Sequence, residues 1–226
     1  MIYKLILSAG LLLSILSASA QSVTLGIKGG FNASNFARSN KDNPNFNRSN
    51  TLVSFQGGVF ADLRLGKFSL QPAVMYTGKG GSTFMSYADD DVISDIYGKA
   101  RIYYLQVPVN LIYHVPLGKG SLFVGAGPFV SKAINGRFKA YDPLVSSGRV
   151  PASIQQRYDS DIEFSSTNYN AFKAFDYGVN GIIGLQLNKI SFNFNYDLGL
   201  ANINPEKRTE YKTRTRTAGL SIGYIF

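Results

Sequence analysis

His114 is the only histidine in the chain, and there is no cysteine. Histidine-based proton transfer must therefore use this one residue, with a nucleophile and an orienting carboxylate inside hydrogen-bond reach. No serine and carboxylate are arranged near it in sequence. A metal site lacks the second histidine or thiolate that would complete it. The run Asp89, Asp90, Asp91 with Asp95 offers carboxylate oxygen to a hard cation such as calcium. It lacks the glycine and distal glutamate of an EF-hand loop, so it reads as a solvated acidic loop. Gly118-Lys119-Gly120-Ser121 is superficially like a phosphate loop, but Tyr113 stands at the first glycine position and Gly120 at the Ser/Thr position. The expectation is no catalytic residue, no metal and no cofactor.

The polar residues that do recur at a fixed spacing are of another kind. Lys28, Asp62, Gln106, Asn110, Asp176, Asn180, Asn193, Asn195 and Asp197 each occupy the polar side of a two-residue alternation. Successive side chains of a β-strand point to opposite faces, so such a strand needs an apolar environment on one side and a polar one on the other. About eight segments carry this pattern. The first sets Val23, Leu25, Ile27 and Phe31 against Lys28, and the second sets Val53, Phe55, Val59, Ala61 and Leu63 against Asp62. The seventh is the cleanest, with Ile190, Phe192, Phe194, Tyr196, Leu198 and Leu200 alternating with Ser191, Asn193, Asn195 and Asp197.

Connections between the segments alternate long and short. Long polar stretches run from Asn32 to Thr51, from Lys79 to Lys99 and from Asn135 to Lys173, and another precedes the last segment at Thr217. The short ones are Leu65-Gly66-Lys67, Val115 to Ser121, and Asn188-Lys189, the last compatible with a two-residue hairpin. Brief turns at one end and long loops at the other belong to an eight-stranded antiparallel up-and-down transmembrane β-barrel, in which an even strand number brings both termini to the periplasmic side. Pro72, inside the third segment, argues against a central strand position. Threading places Phe31, Tyr76, Tyr103 and Tyr177 at the outer rim and Phe68, Tyr113, Tyr224 and Phe226 at the periplasmic rim, as two aromatic girdles.

The first residues fit an export signal over 1–20. Lys4 gives the positive start, Leu5 to Leu16 the apolar stretch and Ala18-Ser19-Ala20 the cleavage site, leaving a barrel domain over 21–226. The apolar stretch is too short for a spanning helix, and no later run reaches the roughly 20 apolar residues one needs. A net charge of +9 could suggest nucleic acid, but the basic residues form no single stripe and an exported chain rarely meets it. Anionic lipid and lipopolysaccharide are the expected counterions. Lys212, Arg214 and Arg216 share the outward parity above the last apolar band, where they could pair with lipopolysaccharide phosphates.

Several stretches, in order, resemble the PorT-like outer-membrane β-barrel family of Gram-negative bacteria. They are Phe68 to Tyr76 with Lys79 and Gly80, Tyr104 to Asn110, Gly125 to Phe129, Phe175 to Gly178 with Gly181, Tyr196 to Leu200, and Leu220 to Phe226. The resemblance implies a barrel of about eight strands, and it accommodates Pro72 because the family carries a proline in that strand. It also implies that the ending with Tyr224 and Phe226 is a sorting signal read by the barrel-assembly machinery.

An eight-stranded barrel is only just wide enough for its interior to be filled by side chains. The nine inward polar residues should therefore hydrogen-bond across a packed lumen, with Asp176 and Asp197 as partners for Lys28. A narrow polar path or small-ligand pocket is the functional alternative. The expected molecule is a monomeric, porin-like cell-surface protein of the outer membrane, structural, adhesive or secretion-accessory and not an enzyme. Phe46, Tyr87, Tyr97, Tyr141, Tyr158, Phe164 and Tyr169 would offer loop contacts. A lipid-modifying enzyme or hydrolase, and a soluble periplasmic lipid-binding barrel with reversed facing, are the alternatives.

Overall fold

A computed structural model describes residues 22–39, 49–89, 92–146, 155–165, 172–204 and 212–226. The expected signal, Phe46, Tyr169, Asp90 and Asp91 lie outside these residues. Ten strands follow in order: β1 (Ser22–Ser39), β2 (Ser49–Asn50), β3 (Leu52–Leu65), β4 (Phe68–Asp89), β5 (Val92–Leu117), β6 (Gly120–Ser146), β7 (Gln155–Asp161), β8 (Phe175–Leu187), β9 (Ile190–Gly199) and β10 (Lys212–Ile225).

Every pairing between strands is antiparallel. The sheet runs β4-β3-β1-β10-β9-β8-β6-β5, and a β4–β5 ladder closes it into a ring of eight strands. The two short strands are additions to that ring: β2 pairs β4, and β7 pairs β6. Closure removes the free edges that an open sheet would expose. At the seam, Gly26 lies opposite Ile225, and the Phe226 amide donates to the Leu25 carbonyl at 2.9 Å.

The alternation resolves as apolar outside and polar inside. Phe31 is 72% exposed and Leu220 65%, whereas Asn32 and Ser221 beside them in the strands are 1% and 7% exposed. A soluble carrier would show the opposite facing. Leu63 departs from the expected set; flanked in register by Val23 and Leu70, it is covered although it shares their parity. Rings gather as the girdles require. Tyr76 stacks on Tyr103 at 5.2 Å with Phe55 beside both, and Phe68 meets Tyr113 at 5.1 Å near the other end.

Three two-residue turns join the strands at that end: Gly66-Lys67, Gly118-Lys119 and Asn188-Lys189. The first residue of each has positive φ (61°, 56° and 52°), a hairpin conformation open to glycine and tolerated by asparagine. Prolines are accommodated by opening the ladder on one side only. The β3–β4 register is interrupted opposite Pro72, and the β5–β6 register is interrupted opposite Pro128. Each proline has no amide to donate there, while its other neighbour remains in register.

The connections differ most from expectation. The segment from Lys79 to Lys99 is not a loop, since β4 and β5 stay paired as far as Asp89 opposite Val92. Likewise β6 runs to Ser146 and β7 lies on it, inside the stretch expected as the longest loop. Strand β10 begins at Lys212 and not at Thr217. Glycines and charged residues interrupt the alternation in these stretches, which removes the pattern that marks a strand. A bulge at Ile134, between the pairs Tyr103–Asn135 and Tyr104–Ala133, also shifts the inward parity of β6 from odd to even numbers. Arg137 and Lys139 consequently point outward and grip Asp159 of β7 at 2.6 and 3.1 Å. The Arg137 hydrogen bond, with help from Lys139, holds the Asp159 carboxyl below its usual range.

Candidate functional site

Inward residues of the eight wall strands stack in layers along the lumen. The outermost is apolar: Phe36, Ile102, Tyr104 and Ile203 are buried together, and Phe172 stacks on Phe36 at 5.9 Å. Two smaller apolar clusters lie toward the turns, one of Phe60, Ala73 and Met75, the other of Ile112, Phe123 and Ile182. The polar lumen expected from the alternation is thus interrupted by apolar layers.

Lys79 is the centre of one polar zone within it. Its parity continues the inward series Ser69, Gln71, Ala73, Met75 and Thr77 of β4, and its side chain is fully buried. The ammonium lies 3.3 Å from Asp176 and 3.9 Å from Asp197, and 4.2 Å from the centroid of the Phe129 ring. Burying two unlike charges costs less when neighbouring groups meet their remaining hydrogen-bonding capacity, which here is met in part, Asp176 Oδ1 having no partner among the described residues. Thr215 donates to Asp176 at 2.7 Å, and Gln106 donates to Asp197 at 2.9 Å. Asn180 also donates to Asp197, and Asn110 donates to Asn180 at 2.7 Å. Five wall strands, β4, β5, β8, β9 and β10, are tied across the lumen by this network.

Of the predicted interior residues, Gln106, Asn110, Asp176, Asn180 and Asp197 therefore come together. Asn195 accepts from Gln56 at 2.8 Å, and Asn193 donates to Ser221, so these two form separate bridges. Lys28 does not take the expected partners: the ion pair falls to Lys79, and the Lys28 ammonium sits 5.7 Å over the Phe60 ring. Lys79 stands at the start of the stretch expected as a loop. Its parity with Thr77 was the available signal. The bridge at Gln56 depends on Gly219, where a Cβ would approach Gln56 Nε2 to 2.5 Å and the Asn195 and Asn32 Oδ1 atoms to 2.6 Å. Gly219→Val is expected to cost about 1–3 kcal/mol through overpacking, read as a lower urea midpoint of the refolded protein. An unchanged midpoint would show that this part of the lumen is loosely packed.

Asp62 belongs to a different group, at the turn end of the lumen. It lies 3.5 Å from Arg64, whose Nη2 is 3.1 Å from His114 Nδ1 and 3.4 Å from Nε2; Ser69 Oγ is 2.9 Å from Nε2. Serine, histidine and aspartate are thus neighbours in space although not in sequence. The arrangement is nonetheless unlike a catalytic triad. A triad needs the carboxylate on the histidine to orient its ring, and here Asp62 is spent on Arg64 while the guanidinium takes the place beside the imidazole.

On the outer surface, Lys212, Arg214 and Arg216 are exposed on the lipid side of β10, as their parity requires. Tyr224 and Phe226 are exposed at the other end with their rings 5.7 Å apart. Asp89 and Asp95 fall in β4 and β5, and among the described residues no cluster of acidic side chains or histidine is built to hold a metal.

Residues 19–204 match the model of the family described as outer membrane protein beta-barrel domain. The chain belongs to that family. It is an outer-membrane β-barrel protein, and its exposed apolar wall faces lipid. Solved structures similar to it include the attachment invasion locus protein Ail of Yersinia pestis, at 14% identity over 91% of this chain and 100% of that one, with a TM-score of 0.39. Neisserial surface protein A is similar at 13% identity, over 91% and 100% of the two chains, with a TM-score of 0.44. The N-terminal barrel domain of Pseudomonas aeruginosa OprF is similar at 14% identity, over 89% and 97%, with a TM-score of 0.32. No curated protein matches the chain.

Proposed function

We propose that this outer-membrane barrel is a closed, non-catalytic mount for an extracellular recognition surface, serving adhesion, secretion or envelope structure. The observation that carries the reading is the length of its strands relative to its lumen. A tilted transmembrane strand needs about 9–11 residues. Strands β8, β9 and β10 have 13, 10 and 14, whereas β4, β5 and β6 have 22, 26 and 27. The surplus rises past the wall as a paired sheet, to which β7 is added. Beneath it the lumen is crossed by the Lys79 network and sealed by the apolar layer around Phe36 and Ile102.

In this reading the chain is a PorT-like family member, exported by a signal over residues 1–20 that is removed, and delivered as a monomer by the barrel-assembly machinery through Tyr224 and Phe226. Lys212, Arg214 and Arg216 meet lipopolysaccharide phosphates at headgroup height. The pairing of Asp62 with Arg64 and not with His114 supports a role without hydrolysis. Protein refolded into planar bilayers is expected to give no steady conductance, and a stable open channel would defeat the closed-mount reading. Shortening the β4–β5 hairpin by residues 81–100 should leave an unboiled sample that still migrates as a folded barrel while abolishing cell-surface adhesion. Adhesion that survives the deletion would move the function elsewhere.

A further inference from the structure

The periplasmic turns do more than reverse the chain. A cavity of about 300 Å3 opens between them, lined by Arg64, Lys67, His114, Lys119, Gln186 and Asn188 among others. Three cationic residues contribute to its lining, and no carboxylate does. Asp62, the nearest acidic group, is buried beneath and bound to Arg64, so Lys67 and Lys119 are left in excess. The contrast with Lys189 shows that this is a property of place and not of turn composition. Lys189 occupies the equivalent position in the third turn, yet it lies 5.9 Å over the Tyr224 ring and does not line the cavity.

The cations are also held in position. The His114 amide donates to the Lys67 carbonyl at 2.8 Å, which fixes the first turn against β5. Every hydrogen bond that Arg64 makes uses Nη2. Its Nε and Nη1 make no hydrogen bond among the described residues, and each can donate singly to a phosphate oxygen. The cavity has room for roughly ten water volumes, enough for one phosphate group and part of its hydration shell but not for a large organic molecule. Gln186 supplies an amide at the same mouth; its Nε2 is 3.1 Å from the Asn188 carbonyl.

We propose that the periplasmic mouth binds a phosphate group, with Arg64 as the positioned donor and Lys67 and Lys119 as point charges beside it. Gly118-Lys119 fails as a nucleotide phosphate loop but presents its lysine to this cavity through hairpin geometry. The phosphate comes either from free solute or from an inner-leaflet phospholipid headgroup, and the test separates the two.

The full chain, refolded into non-ionic, phosphate-free micelles, is titrated with inorganic phosphate while its amide and arginine side-chain NMR signals are followed. Saturable shifts at Arg64, His114, Lys119 and Gln186 are expected, and they should weaken as ionic strength rises. K67Q/K119Q, which alters only exposed turn side chains, should lower the affinity at least tenfold while the unboiled protein still migrates as a folded barrel. Shifts that grow without saturating, that persist unchanged in K67Q/K119Q, or that map instead to Arg214 and Arg216 would overturn the proposal. In nanodiscs of anionic phospholipid, loss of the response to free phosphate would assign the site to the lipid headgroup, and retention would assign it to the solute.

Discussion

Lys79→Met should destabilise the barrel by about 3–5 kcal/mol, because removing one partner of a buried pair leaves the other charge uncompensated. Here the single ammonium serves both Asp176 and Asp197, neither of which has solvent to turn to. Methionine fills much of the same volume, so the loss isolates charge from packing. The companion variant K79M/D176N/D197N removes all three charges. The D176N amide keeps an oxygen for Thr215, and the D197N amide keeps one for Asn180; its NH2 faces Gln106, whose amide must turn so that Oε1, now without a partner, accepts from it. It should recover most of the lost stability. Urea unfolding of protein refolded into lipid, followed by circular dichroism, measures both. A single variant within about 1 kcal/mol of the parent, or a triple variant as weak as the single, would mean that the lumen is wet enough to screen the charges.

The next largest effect is expected on the opposite face. Leu220 is midway along β10, between the cationic end at Arg216 and the aromatic end at Tyr224, and is 65% exposed to the surroundings of the wall. An arginine on the lipid face of a barrel costs about 2–4 kcal/mol at the bilayer midplane and far less near the interfaces. Leu220→Arg should therefore lower stability in bilayers by that amount, whereas Arg216→Leu should change it little. In a water-surrounded barrel, Leu220→Arg would be nearly neutral. Equal stability of the two variants would remove the basis for placing lipid against β10, β9 and β1.

How much of this could be read beforehand follows from where the two faces differ chemically. The wall strands were legible wherever lipid demands an apolar side chain at every second position, as in Ile190 to Leu200, and the turns were legible from Gly66, Gly118 and Asn188. Glycines and charged residues interrupt the apolar series through much of residues 79–99 and 135–146, so these stretches read as loops although they are paired strands. Lys79 opens the first of them, beyond the clear apolar series that ends at Tyr76. The bulge at Ile134 left no trace in residue types, since it adds a residue without altering the chemistry on either side. Composition suggested the polar interior as one population. Its division into the Lys79 network, the Gln56 bridge and the Arg64 group depends on strand stagger, which a single sequence does not contain.

The unequal height of the wall gives this molecule a front and a back. Strands β4 to β6 stand tall on one flank, while β8 to β10 end near the membrane surface on the other. Among the described residues the raised sheet therefore presents one broad face above the lumen and the other away from it. Copies spread through a membrane would then present these faces in every compass direction. A partner that clusters them must first turn each one to face it.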